Sequence, residues 1–296
     1  VEDVVDRLLA RTGGAASRSL LLRAGLTTRE FDREVRRGAL VRVFPRSYCR
    51  PWDVDDIAVR EQAAVMSLGM PAALSHLSSL RRWELLKPPD CIHVTVPPNR
   101  GIDPGPELIV HRVRRFPKVI RLHGVVTTTA AEAITASWPM LAGADQRGPA
   151  ITAVRSRVTS TDELRSATAR LVRLPGRREL LRLIDLLDAG CQSELEIWGY
   201  LSVFSSPGLD HARRQLSVHA GGRTYRLDLA YEAGRVAVEL DGDRFHSTPE
   251  QRERDRRRDA ALAAIGWVTL RFSHRRLHRD VAGCRRDTLQ TLGRRR

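Results

Sequence analysis

Two short runs of alternating polarity, 225–231 and 236–241, constrain this 296-residue chain more than any other feature. Side chains alternate faces along a strand. In the first run Tyr225, Leu227, Leu229 and Tyr231 fall on one face, and Arg226, Asp228 and Ala230 on the other. In the second, Val236, Val238 and Leu240 are apolar on one face, while Ala237, Glu239 and Asp241 share the other. Ala233-Gly234 between them fits a two-residue hairpin loop. Pairing Glu232 with Arg235 then sets Asp228 directly opposite Glu239. Two carboxylates in that position repel each other. Away from water they are tolerated only if one is protonated or a cation lies between them. Asp241 adds a third acid on the same face. Such a cluster of oxygen donors suits Mg²⁺ or Mn²⁺, which would polarise a phosphodiester and help deprotonate an attacking water.

The surrounding pattern gives the hairpin a context. Ala189-Gly190 ends a strongly apolar helical run. Ser193 caps a helix that reaches about Phe204. A strand is expected over 215–219, and Thr248-Pro249 opens a helix that Gly266 stops. A strand over 267–272 and a closing helix over 280–292 follow. The expected order is helix, three strands, helix, strand, helix.

Several of these residues together resemble a bacterial domain family related to very-short-patch repair endonucleases, within the restriction-endonuclease-like superfamily. They are Ser193-Glu194-Leu195-Glu196, Gln215, Asp228, Val238-Glu239-Leu240-Asp241-Gly242, His246, Arg254-Asp255 with Arg258-Asp259, and Gly266-Trp267-Val268 with Leu270-Arg271. The resemblance covers about 190 to 290. It implies an α/β fold with a central mixed sheet, a divalent metal and cleavage of DNA. It also implies Asp228 and Glu239 as metal ligands and Glu196 as the acid contributed by the first helix. The superfamily's usual lysine, two residues after the second acid, is Asp241 here. His246 stands where it would substitute as proton acceptor. Plainer readings exist: Asp228 and Glu239 as solvated strand residues, Asp241 as a turn residue before Gly242, His246 as a loop histidine and Glu196 as a capping-box acid three after Ser193. The Arg/Asp-rich helix over 250–259 reads as a solvated face.

The first fifty residues have a different outline. Two short helices precede a third, which Thr27 and Glu30 open as a capping box and Gly38 ends. A small hairpin about Pro45-Arg46 follows. Helix, turn, helix, hairpin is the outline of a winged helix-turn-helix. The third helix turns Phe31 and Val35 inward and Arg29, Arg33, Arg36 and Arg37 outward, where they suit a major groove and its phosphates. Arg42 and Arg46 fall on the wing. A small helical scaffold with a solvated basic face is the alternative. Leu20 to Leu22, Ala24-Gly25-Leu26, Arg36-Arg37-Gly38, Leu40, Arg42-Val43 and Tyr48 resemble the N-terminal domain of the abortive-infection type IV antitoxin family. Leu74-Ser75-His76-Leu77-Ser78 and Ile92-His93-Val94-Thr95-Val96 look like that family's continuation. This resemblance implies DNA binding; it brings a cognate toxin into view as a partner without requiring one. His76 and His93 read as structural. In the middle, helices near 59–68 and 74–83, strands over 91–96 and 107–113, and a helix capped by Thr129 with Glu132 are expected.

Bulk composition agrees with a polyanionic partner. The formal net charge is +15, which favours nucleic acid. The preference for Arg over Lys reads as a coding bias and carries no weight. The four cysteines are scattered, which argues against a zinc site or a disulfide framework. No signal peptide is recognised after the initial Val-Glu-Asp, and no run is long and apolar enough for a bilayer, so a cytoplasmic protein is expected. The whole reads as an α/β multidomain chain: a winged helix-turn-helix over 1–54, a small α/β middle domain over 55–142, a helical linker over 143–189 and a restriction-endonuclease-like domain over 190–296. Two functions fit it: a DNA endonuclease using Mg²⁺ or Mn²⁺, or a DNA-binding regulator or antitoxin with an inactive nuclease fold. Oligomeric state is not readable.

Overall fold

A computed structural model describes residues 2–98, 105–241 and 249–295, the side chains at 241, 249, 251 and 252 excepted. The chain divides into two compact units, Val1–Arg177 and Arg178–Arg296. Among the described residues no helix is long and apolar enough to cross a membrane.

The first unit begins with α1 (Glu2–Arg11), β1 (Ala15–Ser17), α2 (Arg18–Arg23), α3 (Thr28–Arg36), β2 (Val41–Phe44) and β3 (Ser47–Cys49). The capping box at Thr27 forms as expected: Glu30 N–H donates to Thr27 Oγ1 at 3.3 Å, and Thr27 N–H donates to Glu30 Oε2 at 2.8 Å. The three strands make an antiparallel sheet in the order β1-β3-β2. β1 is absent from the sequence expectation, because Ala15-Ala16-Ser17 is too short and too plain to show an alternation. Val5, Leu9, Leu21, Leu26, Phe31 and Leu40 form one core. Ala15, Phe44 and Cys49 belong to a second core, which they share with Val59, Ala63 and Ala64 of α4 (Ile57–Leu68). Residues on both sides of position 54 are therefore buried together.

β4 (Ala73–Leu74), α5 (His76–Arg82), β5 (Ile92–Val96), β6 (Leu108–Arg112), β7 (Val119–Leu122), β8 (Val125–Thr128) and α6 (Ala130–Ser137) follow. The five strands form a mixed sheet in the order β6-β5-β4-β8-β7. The helix expected from Leu74 is a two-residue strand and then a shorter helix, since Ala73 and Leu74 bridge β5 and β8. The capping box expected at Thr129 does not form: Thr129 makes no side-chain cap, and Glu132 instead pairs with Arg170. α7 (Gly143–Arg155) and α8 (Thr161–Arg170) pack on α6.

The second unit holds α9 (Arg177–Asp188), α10 (Glu194–Gly199), β9 (Arg213–Ala220), β10 (Arg223–Tyr231), β11 (Val236–Asp241), α11 (Pro249–Ala264), β12 (Val268–Ser273), α12 (His274–Arg279) and α13 (Val281–Gly293). α10 continues into a π-helical turn, Tyr200–Phe204. The sheet order is β12-β11-β10-β9, with β11 and β12 parallel and the other neighbours antiparallel. Both faces are covered. Leu195, Phe204, Leu229, Tyr231, Val238 and Phe272 are buried on one side; Leu227, Ala230, Ala237, Leu262 and Trp267 are buried on the other.

The β10–β11 hairpin has the expected register over Leu229 opposite Val238, Ala230 opposite Ala237 and Tyr231 opposite Val236, but the pairing stops there, short of the expected Asp228 opposite Glu239. Arg235 N–H donates to Glu232 O at 3.1 Å to close the turn. The facial pattern of β10 departs from simple alternation. Leu227 lies in one core and Leu229 in the other, so the strand changes the face it presents across Asp228. The cause sits on the neighbouring strand. Leu216 pairs with Leu227 and Arg214 with Leu229, but Gln215, at φ 51°, drops out of the ladder opposite Asp228. A residue in the left-handed region turns its peptide out of the extended strand and so interrupts the ladder, although the count is equal on both strands and the register resumes unchanged.

Candidate active site

The interruption at Gln215 gathers polar groups around Asp228. Gln215 Nε2–H donates to Glu196 Oε2 at 3.0 Å and to Asp228 Oδ1 at 3.4 Å. Asp228 Oδ2 accepts the Leu240 N–H at 2.9 Å. In a regular ladder that amide would bond across to the β10 backbone. The carboxylate of Asp228 takes the backbone's place, and the ladder beyond Leu229–Val238 ends there. One side chain thus joins β9, β10 and β11 at a point where β10 pairs regularly with neither neighbour.

Glu196 reaches this point from α10. Ser193 caps that helix, accepting the Glu196 N–H at 3.1 Å, and its hydroxyl donates to Glu196 Oε1 at 2.8 Å. The Gln192 N–H donates to Glu196 Oε2 at 3.0 Å. Glu196 is therefore a capping acid and also the hydrogen-bond partner of Gln215. Burial raises its pKa above the ordinary carboxylate value, opposed by the hydrogen bonds from Gln192 and Ser193 and assisted by the nearby Asp228. The amide oxygen of Gln215, Oε1, is buried with no hydrogen-bond partner.

Glu239 is 5% exposed and lies on β11, paired in register with Arg271 of β12. Its carboxylate accepts from Arg258 Nη2–H of α11. The same nitrogen donates to Arg226 O at 2.7 Å. In the sequence Arg258 is one of the residues that carry the resemblance but is given no role of its own, and its helix reads as a solvated face. The structure puts one cation of that helix on the buried acid, and Asp259 beside it on Arg271 at 2.8 Å. The partner of Arg258 is not locally legible, since the contact spans α11 and β11. Arg258 Nε is buried without a hydrogen-bond partner.

Asp241 ends β11, its backbone opposite Ser273; its side chain, and the whole of His246, lie outside the described residues. Among the described residues no group of three or more His, Cys, Asp and Glu side chains is arranged to hold a metal ion.

In the first unit Arg29, Arg33, Arg36, Arg42 and Arg46 are exposed. Arg37 is exposed too but engaged within the fold, on Glu34 at 2.7 Å and Glu2 at 3.4 Å. Glu34 is 1% exposed, so α3 buries an acid beside Phe31 and neutralises it from the basic side. His76 and His93 meet a third histidine that no sequence pattern singles out. His93 Nδ1 and His111 Nε2 are 3.0 Å apart, and the His76 and His111 rings stack at 3.5 Å between centroids. Burial, with the other rings of the stack, lowers His76 to about 3 and His93 to about 4.

The second unit is thus a mixed four-stranded sheet covered on both faces, with acids at an interrupted central strand. Residues 209–292 match the family model REase_MTES_1575, a restriction-endonuclease-like family. Along most of its length the chain is also similar to two mycobacterial proteins. Uncharacterized protein Rv2248 of Mycobacterium tuberculosis (strain ATCC 25618 / H37Rv) is 28% identical over 261 residues, covering 82% of this chain and 89% of that protein. Uncharacterized protein MT2308 of Mycobacterium tuberculosis (strain CDC 1551 / Oshkosh) shows the same identity and coverage.

Proposed function

We propose that the protein is a DNA endonuclease whose second unit hydrolyses phosphodiester bonds with Mg²⁺ or Mn²⁺ and whose first unit binds DNA. The observation that carries this reading is the meeting of Glu196, Gln215 and Asp228 at the break in the β9–β10 ladder. The donor chemistry there fits a hard divalent cation. Two carboxylates converge on one amide, Glu196 holds its proton more tightly through burial with a smaller contribution from Asp228, and Gln215 Oε1 is buried without a partner. Mg²⁺ commonly keeps several waters and needs only one or two protein carboxylates. Glu196 and Asp228 would hold it, with Gln215 Oε1 beside them; Glu239 would join on release from Arg258. Bound there, the metal would polarise a phosphoryl oxygen and lower the pKa of a coordinated water. Asp228 ties β10 to β11 through the Leu240 N–H, Gln215 orients both acids, and Arg258 holds charge next to Glu239. Asp241 and His246 are the remaining catalytic candidates.

For the N-terminal part we read 1–54 as a winged helix-turn-helix. The order of α1 to β3, the three-stranded sheet and the exposed arginines of α3 and the β2–β3 turn support it. Within this division 55–142 is a middle domain, 143–189 a helical connection and 190–296 the nuclease domain. Incubation of supercoiled plasmid with the full chain and Mg²⁺ or Mn²⁺ tests the activity. Nicking or linearisation is expected, falling by about 100-fold or more in Asp228→Asn and Glu239→Gln, the scale at which groups stabilising transition-state charge act. Cleavage that survives both changes would refute the assignment.

One observation favours a second reading, a DNA-binding regulator or type IV antitoxin-like protein with an inactive nuclease fold. Arg258 already neutralises Glu239, and Asp241 stands in the lysine position. That reading expects a gel shift on the upstream DNA of its own gene and no cleavage under any metal.

A further inference from the structure

The first unit holds a cavity of about 390 Å³ that the nuclease reading leaves unused. Two loops form its rim. The one between β6 and β7 carries Arg114, Arg115 and Phe116; the one after α8 carries Arg173, next to Arg170 at the helix end. Arg114, Arg115 and Arg173 are exposed, and Arg170 is half-buried. Glu132 is the one carboxylate among the described lining residues, and Arg170 already pairs with it. The cavity therefore carries a surplus of three positive charges. Burial and the nearby Arg115 both lower the pKa of Arg170, so the cations are close enough to oppose one another. His76 lines the cavity and is held neutral by its burial in the histidine stack. Apolar residues complete the wall, among them Val172 and Leu174, with Phe116 as a flat ring.

This lining selects the chemistry of its occupant. Guanidinium groups match phosphate oxygens with two parallel hydrogen bonds. A ring set among apolar side chains suits a planar heterocycle. The volume lies within the range of about 300–1,000 Å³ usual for small-molecule sites, and excludes a duplex. We propose that this cavity binds a nucleoside phosphate, with the phosphate on Arg114, Arg115, Arg170 and Arg173 and the base against Phe116. A free nucleotide and the phosphorylated end of a single strand carry the same chemistry.

Titration calorimetry on the full-length protein separates these sources. The probes are AMP, adenosine, inorganic phosphate, and a four-nucleotide oligothymidylate with and without its 5′-phosphate. Expected is binding of AMP, of the phosphorylated oligonucleotide, or of both, at one site per chain, with adenosine at least about tenfold weaker. One charge-assisted hydrogen bond is worth about 1.5–3 kcal/mol, or tenfold and more in affinity. Arg114→Ala with Arg173→Ala should weaken the phosphorylated probes by about 100-fold. These residues are exposed, so the double variant should keep its thermal midpoint, which is measured alongside. Phe116→Ala should weaken AMP about tenfold and leave inorganic phosphate unchanged. No binding of any phosphorylated probe at millimolar concentration overturns the proposal. So does binding that the double variant leaves intact, and inorganic phosphate binding as tightly as AMP overturns the role of the base.

Discussion

Glu239 is a buried carboxylate whose charge is met by Arg258, a side chain that keeps 22% of its own exposure. Removing one member of such a pair leaves the other uncompensated, at a cost of about 3–5 kcal/mol when both are fully buried. With Arg258 partly solvated, Arg258→Met should cost about 3 kcal/mol, read as a shift in urea midpoint. Adding Glu239→Leu to it should restore most of the loss. An unchanged midpoint in the single variant would mean that water already screens the pair. The histidine stack gives a second prediction. His93 falls to about 4 in the folded chain against an ordinary value of 6.5, so below pH 6.5 the unfolded chain binds the proton that the folded chain refuses. Stability is full above pH 6.5 and is lost as pH falls toward 4. At pH 5 this 2%-exposed residue should account for about 2 kcal/mol. Hydrogen exchange of the β5 amides at pH 7 and pH 5 should show the loss, and His93→Asn should reduce it. None of this is readable from sequence. Arg258 and His111 acquire their partners only when distant elements pack, whereas the Ser193–Glu196 and Thr27–Glu30 bonds form within one turn and are legible.

At the level of elements, local signals place β10, β11, the turn between them and most helix starts. Two alternating runs and a two-residue spacer leave little choice of register. What escapes them are strands defined by pairing. β1, β4, β7 and β8 have no alternation of their own, and they are defined by the strands they pair with, at an edge for β1 and β7 and inside the sheet for β4 and β8. The facial switch in β10 escapes for a related reason, since it originates in Gln215 on another strand. The junction of β1 with α4 shows how tightly such unsignalled strands are held. Gly14, at φ 85°, approaches α4 so closely that an added Cβ would lie 2.4 Å from Val59 Cγ2, whereas one at Gly25, φ 112°, would meet nothing within 4 Å. Both replacements by alanine incur the left-handed backbone penalty, about 1–2 kcal/mol. Gly14→Ala should cost about 1–3 kcal/mol more, the usual penalty for overpacking. Thermal unfolding of the two variants checks the difference, and equal midpoints would mean that α4 yields freely.

On the scale of the whole molecule, a net charge of +15 makes salt the most informative variable. If α3 tracks a duplex, replacing Arg29, Arg33 and Arg36 with alanine should reduce the slope of log binding constant against log salt by about 3, one unit for each phosphate no longer neutralised. An unchanged slope would move the phosphate-binding groups off α3. Net charge is legible from composition, but its allocation is not: Arg37 serves the fold, Arg258 serves Glu239, and four arginines surround a cavity. The break opposite Asp228 has a further consequence, for how this chain can change over time. Because the register is the same on both sides of Gln215, with Leu216 opposite Leu227 and Arg214 opposite Leu229, losing that single codon would slip one half of the ladder by a residue and turn its side chains to the opposite face. Exchanging the codon instead would keep the length of β9 and its register, while Asp228 would lose the amide that now orients it. A point substitution at this position, and not a deletion, is thus the short route from a working site to a silent scaffold.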